Sequence, residues 1–137
     1  MDYLKRFSSD FGVPIEEPTH IPNTHRALAI TEYARDLKKL EAFRDATMEA
    51  YWRRCDDIED DSVLSSLAES SGLEPLLALA AADDPKYHER IAADVKEAKA
   101  KKVTGIPTMF IGDKMIVGCH PYEDLKKAAE KAGLRVR

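Results

Sequence analysis

Residues 103–133 read VTGIPTMFIGDKMIVGCHPYEDLKKAAEKAG, and two changes of pattern inside them decide the fold. Pro107 to Ile111 (PTMFI) and Met115 to Val117 (MIV) are short apolar runs of strand-forming residues. The GDK between them puts Gly112 and Asp113 in a tight turn, which predicts an antiparallel hairpin. Pro121 then opens a helix, with Tyr122, Leu125, Ala129 and Ala132 expected inward and Gly133 as its stop. Two strands make too small a sheet to stand alone. The rest of the core must come from upstream.

Upstream the periodicity is helical. The first 23 residues carry Pro14, Pro18 and Pro22, each pushing its predecessor away from helical angles, and read as an extended arm. A helix is expected from Asn23 or Thr24, with Ala27, Ile30, Ala34 and Leu37 as its apolar stripe. A second, from about Lys39 to Arg54, places Phe43, Thr47, Ala50 and Tyr51 on one face and Trp52 at its edge, so that the two pack as a hairpin. The acidic run DDIEDDS supplies a cap in Asp60, Asp61 or Ser62 for a third helix, which turns Val63, Leu64, Leu67 and Ala68 inward and stops at Gly72. Glu74 to Ala82 is apolar nearly all round, which predicts burial on more than one side. Pro85 opens a longer helix to about Lys102, with Tyr87, Ile91, Val95 and Ala98 inward.

The fold class expected is α+β, mostly helical: an arm over 1–23, a helical domain over 24–102, and the hairpin with its closing helix over 103–137. A chain of 137 residues, 44% hydrophobic and 34% charged, suits one ordinary soluble domain. Its net charge of -4 argues against nucleic acid or an anionic membrane as partner. With no apolar run of membrane-spanning length and no secretory apolar core at MDYLKRFSSDFG, the expected location is cytoplasmic. Cys55 and Cys119 form no CxxC and no His/Cys cluster, so neither a disulfide framework nor a structural metal site is expected, and no cofactor.

The blocks PNTHRALAITEYA, AYWRRCDDIEDDSVLSSLAESSGL and VTGIPTMFIGDKMIVGCHPYEDLKKAAEKAG occur in an order that resembles DsbA-like thioredoxin-fold proteins, with FrnE-like oxidoreductases and 2-hydroxychromene-2-carboxylate isomerases as the nearest relatives. The resemblance covers about Pro22 to Gly133. It implies a helical insertion, a cis-proline loop at Pro107, a hairpin and a closing helix. Such families carry their reactive residue in an N-terminal strand, helix and strand, with a CxxC-like motif. DYLKRFSSDFGVPI would correspond to the loop and helix just before the insertion, so the redox dithiol is expected to lie outside this chain, upstream or on another polypeptide.

The resemblance also implies that Ile106, Pro107 and Thr108 meet an extended peptide or thiol substrate. Cys119 and His120 stand ahead of Pro121 at a helix start, where the dipole and an imidazole favour a thiolate; against this, a free cysteine at such a junction is commonly a small buried residue. Cys55, beside Asp56 and Asp57, has its thiolate disfavoured by like charge. Asp56, Asp57, Glu59, Asp60 and Asp61 lack the glycine and spacing of a calcium loop and read as a solvated loop and cap. Lys99, Lys101 and Lys102 could sit where a glutathione carboxylate binds in related folds, or form a solvated last turn. His20, His25 and His88 are isolated in sequence and suggest no metal set.

Two functional classes follow: an oxidoreductase-family protein inactive alone, or a binding or assembly module (or glutathione-dependent isomerase-like remnant) derived from the same fold. A homodimer is expected through the edge of the strand from Thr108 to Ile111, because an unpaired apolar edge is a template for pairing.

Overall fold

Helix formation begins where the prolines end. Helix α1 (His25–Asp36) follows Pro22, and the Asn23 side chain accepts the His25 N–H at 3.0 Å. Ala27, Ile30 and Ala34 are buried, whereas Leu37 is 48% exposed because the helix has ended one residue before it. Helix α2 (Leu40–Glu49) buries Phe43 and continues as a π-helical turn, Ala50–Arg54, where one uninterrupted helix is expected. The turn closes on Cys55 in the left-handed region, φ 56°, from which the Asp56 N–H returns to the Ala50 carbonyl at 3.0 Å. That reach is longer than an α-helical bond.

Helix α3 (Asp61–Ser70) is capped by Asp60, whose carboxylate accepts the Ser62 and Val63 N–H groups and the Ser62 hydroxyl. These bonds, that from the Ser62 hydroxyl first, stabilise the anion and hold its carboxyl below the ordinary value. Helix α4 (Pro75–Ala82) is capped by Glu74, which accepts the Leu77 N–H at 2.7 Å. Burial on more than one side, as expected, is present, but it does not run all round. Ala78, Ala81 and Ala82 are buried against α1 and α3, while Leu76 is 75% exposed and Leu77 exposed. Packing occupies the alanine face, whose short side chains allow close approach, with Leu79 half-buried beside it. In helix α5 (Pro85–Ala100) Tyr87 is buried and Ile91 and Ala98 are half-buried, but Val95, expected inward, is exposed.

The computed structural model describes residues 5–6, 8–9, 11–13 and 15–135. Lys5, Arg6, Ser8 and Ser9 are helical and Phe11 and Gly12 form a turn, so the expected extended arm is confined to the residues that follow; Pro14 lies outside the described residues. The chain divides into two compact units, Met1–Ala92 and Ala93–Arg137. The division falls inside α5.

The core of the first unit joins Ile30 of α1, Phe43 of α2, Ile58 of the acidic loop and Leu64 of α3 to Leu73 and Ala78. Phe43, Ile30 and Leu64 are its largest fully buried side chains, each contributing about 1.5–3 kcal/mol through burial. Arg26 ties three elements at its rim: Nε and Nη2 donate to the two Asp83 oxygens at 3.0 Å each, and Nη1 to Asp61. Bonding to Asp61, then to Asp83, raises its pKa further.

In the second unit, β1 (Thr108–Ile111) pairs antiparallel with β2 (Lys114–Val117) in the register Thr108↔Val117, Met109↔Ile116, Phe110↔Met115 and Ile111↔Lys114. The expected hairpin is present, with Gly112 and Asp113 in its turn. Ile116 is buried, and strand alternation puts Met109 on its face, while Phe110, Met115 and Val117 occupy the other and stay exposed. Helix α6 (Tyr122–Lys131) buries Ala128 and half-buries Leu125 and Ala129. Tyr122, expected inward, is 60% exposed in the first turn, and Ala132 lies past the helix end beside the hairpin turn.

Candidate functional site

Helix α5 stops where Lys102 turns left-handed, φ 58°, and the Val103 N–H returns to the Ala98 carbonyl at 2.9 Å. The chain is thereby released into the loop that precedes β1. Two hydrogen bonds brace this loop beside a cis-proline. The Thr108 hydroxyl donates to the Gly105 carbonyl at 2.6 Å, the Pro107 carbonyl accepts the Gly118 N–H at 2.7 Å, and the Ile106–Pro107 peptide bond is cis. A Cβ on Gly105 would stand 3.2 Å from Val117 Cγ1, so a residue without a side chain suits this position.

Ile106 emerges from this brace 92% exposed. Among the described residues its backbone N–H and C=O form no hydrogen bond. It leads directly into β1, whose one strand partner among the described residues is β2, leaving the outer edge open. An exposed apolar side chain, free backbone polar groups and an open edge in succession are what an extended peptide needs in order to add as a strand.

Cys119 and His120 follow Gly118 and so lie at the same end of the hairpin as Ile106, Pro107 and Thr108. The expectation that Cys119 is buried is corrected: it is an exposed free thiol, because the chain leaves β2 at Val117 before α6 can cover it. The His120 Nε2 lies 3.1 Å from the Val117 carbonyl, and no hydrogen bond joins the ring to the thiol. Cys55 belongs to the other unit, half-buried, with its thiol donating to the Glu17 carbonyl at 3.6 Å. No CxxC occurs in the 137 residues.

Of the lysines considered for an anionic ligand, Lys101 is already engaged. Its Nζ lies 2.5 Å from a Glu97 carboxylate oxygen and 5.5 Å from the centre of the Phe110 ring, and it holds the Glu97 carboxyl below its ordinary value. Lys99 and Lys102 are exposed.

The expected isolation of the histidines is also corrected. His25 stacks on His88 at 4.8 Å with the rings 4° apart, and His20 converges with Asp57 and Glu59. Neither grouping shows in the sequence spacing, since the arm meeting the acidic loop creates one and α5 meeting the start of α1 creates the other. Among the described residues, no helix is long and apolar enough to cross a membrane.

Comparison with known proteins accords with this geometry. The chain is 25% identical over 128 residues to the uncharacterized protein YwbO of Bacillus subtilis, covering 91% of this chain and 64% of that one. It superposes on the solved structure of a "probable DsbA oxidoreductase" from Streptomyces coelicolor with a TM-score of 0.80 at 26% identity, over 99% of this chain and 60% of that one. A solved structure from Nitrosomonas europaea, 16% identical, shares the fold with a TM-score of 0.73 over 95% of this chain and 70% of its own. The chain thus spans less than two thirds of the length of the first two. A family model described as the DSBA-like thioredoxin domain matches residues 1–130, and on that match, with the fold laid out above, the chain belongs to the DSBA-like thioredoxin domain family.

Proposed function

We propose that these residues form the substrate-binding part of a DsbA-like thiol–disulfide oxidoreductase, and that the dithiol doing the exchange lies outside them. The observation that carries the reading is the succession of Ile106, 92% exposed with unengaged backbone groups, and the open edge of β1. Ile106, Pro107 and Thr108 would hold an extended peptide or thiol substrate while a cysteine elsewhere attacks it. Cys55 and Cys119 do not supply that chemistry on this reading. Exchange needs an attacking thiolate with a resolving thiol in reach, and these two stand alone in separate units.

The test is insulin reduction by dithiothreitol in the presence of the chain. The rate should equal the uncatalysed background and be unchanged by Cys119→Ser. A rate clearly above background that disappears in Cys119→Ser would transfer the activity to Cys119 and His120 and overturn the reading.

A second reading, a non-catalytic binding or assembly module, draws on the same open edge and on Phe110, Met115 and Val117 exposed together on one face of the hairpin.

A further inference from the structure

The stretch from Asp56 to Asp61 packs five carboxylates into six residues, and the fold itself uses three of them. Asp56 accepts from Arg54 Nε at 2.8 Å, Asp61 pairs with Arg26, and Asp60 caps α3. Asp57 and Glu59 remain, and among the described residues no lysine or arginine pairs with either. What meets them is His20, carried over the loop by the arm: its Nε2 lies 3.4 Å from Asp57 Oδ1 and 3.9 Å from Glu59 Oε2. One donor atom from each of the three lies within 4.8 Å of the others.

One of these separations already fits a metal polyhedron, and the others must shorten to do so. With metal–nitrogen and metal–oxygen bonds of about 2.0–2.1 Å, two donors on a tetrahedral ion stand about 3.3 Å apart. The His20–Asp57 edge is already at that value, and all three side chains are half-exposed and can close the others by small rotations. One carboxylate is oriented from outside the donor set and the other from within it. Asn23 N–H donates to Glu59 Oε2 at 2.9 Å, and Glu59 N–H to Asp57 Oδ1 at 3.0 Å. The Asn23 bond is of the kind that orients ligands around metal ions from outside, and both bonds leave lone pairs for one.

We propose that His20, Asp57 and Glu59 bind a divalent first-row transition-metal ion, zinc being the type, with water completing its coordination. An imidazole nitrogen with two carboxylates suits such an ion, whereas calcium and magnesium prefer all-oxygen sites. Bound there, the ion neutralises the two carboxylates that the fold leaves without a permanent cation, and it clasps the arm to the loop that opens α3. The proposal is independent of the substrate loop, which belongs to the other unit.

The experiment is equilibrium dialysis of the full chain against Zn2+ alone, with both cysteines replaced by serine to remove thiol ligands. One zinc per chain is expected. His20→Ala and Asp57→Asn should each weaken binding about tenfold or more, and Asp56→Asn, whose carboxylate serves Arg54, should leave it unchanged. Far-UV circular dichroism of each variant checks the fold, and if Asp57→Asn alters it, His20→Asn replaces it as the second test. Absence of stoichiometric zinc binding, zinc retained in His20→Ala, or Mg2+ binding as tightly as Zn2+ would overturn the proposal.

Discussion

Arg90 holds Asp36 with both arms of its guanidinium, Nη1 at 2.7 Å from Oδ1 and Nη2 at 3.2 Å from Oδ2. Lys86 adds a bond of 2.8 Å to Oδ2, and both cations come from α5. Asp36 is the last residue of α1, where the helix dipole disfavours an anion. The two cations outweigh that. Arg90 first, then Lys86, hold the Asp36 carboxyl at about 2, against 3.8 ordinarily. A carboxyl depressed in the folded state stabilises the fold at pH above its unfolded value and ceases to as pH falls through the folded one. Asp36→Asn should therefore lower the urea midpoint at neutral pH, and the gap should shrink from pH 3.8 downward and close near pH 2. Because the pair is about one-third exposed, molar salt should also narrow the gap. A midpoint difference equal at neutral pH and at pH 2 would show that the ion pair adds nothing.

Phe43 and Leu76 make opposite predictions although both are large and apolar. Phe43 is fully buried at the centre of the first unit, so Phe43→Ala should cost about 3–5 kcal/mol through lost burial and the cavity left behind. Leu76 lies in the most apolar helix of the chain yet is 75% exposed, so Leu76→Ala should stay within about 0.5 kcal/mol. Urea unfolding of the two variants checks both, and comparable losses would mean that α4 is covered on its outer face.

These two residues show how far the fold can be read from the sequence. Helical spacing and cap chemistry are local, so Phe43, the Asp60 cap and the Gly112 turn stand where they are expected. Which face of an all-apolar helix meets a neighbour is not local, and Leu76 lies outside for that reason; Val95 and Tyr122 are exposed because no neighbour among the described residues covers those turns of their helices. The candidate site divides in the same way. Ile106, Pro107 and Thr108 are contiguous and come from one motif, whereas His20 reaches Asp57 and Glu59 only because the arm folds back across the loop. The two-residue spacing of Asp57 and Glu59 is the one trace of it in the sequence.

Gly112 is held at φ +58°, and a Cβ there would stand 3.1 Å from the Ala132 Cβ. Gly133, at φ +79°, would place a Cβ in open space. A left-handed alanine costs about 1–2 kcal/mol on backbone grounds alone. Gly133→Ala should show that cost and Gly112→Ala more, since the hairpin turn must also shift away from α6. Amide exchange of Met115 and Ile116 is the readout, with faster exchange in Gly112→Ala. Equal protection in the two variants would mean that the turn does not bear on Ala132.

The open edge of β1 leads to the last prediction, a homodimer. Among the described residues Thr108–Ile111 pairs as a strand only with β2, and Phe110, Met115 and Val117 are exposed together on one face. An apolar strand with unpaired N–H and C=O groups recruits another strand, and natural chains keep such edges covered. Antiparallel pairing of β1 with its own copy would make a four-stranded sheet under a two-fold axis, the commonest oligomer symmetry, and would extend the exposed face across both copies. Near such an axis each Phe110 lies at or beside its own copy. Phe110→Asp then brings two carboxylates together across the new edge, where like charges destabilise pairing. Light scattering at micromolar concentration should give twice the 15.4 kDa chain mass for the native sequence and the single mass for Phe110→Asp. A native mass near 15.4 kDa would remove the dimer, and a dimer that persists in Phe110→Asp would move its interface away from β1.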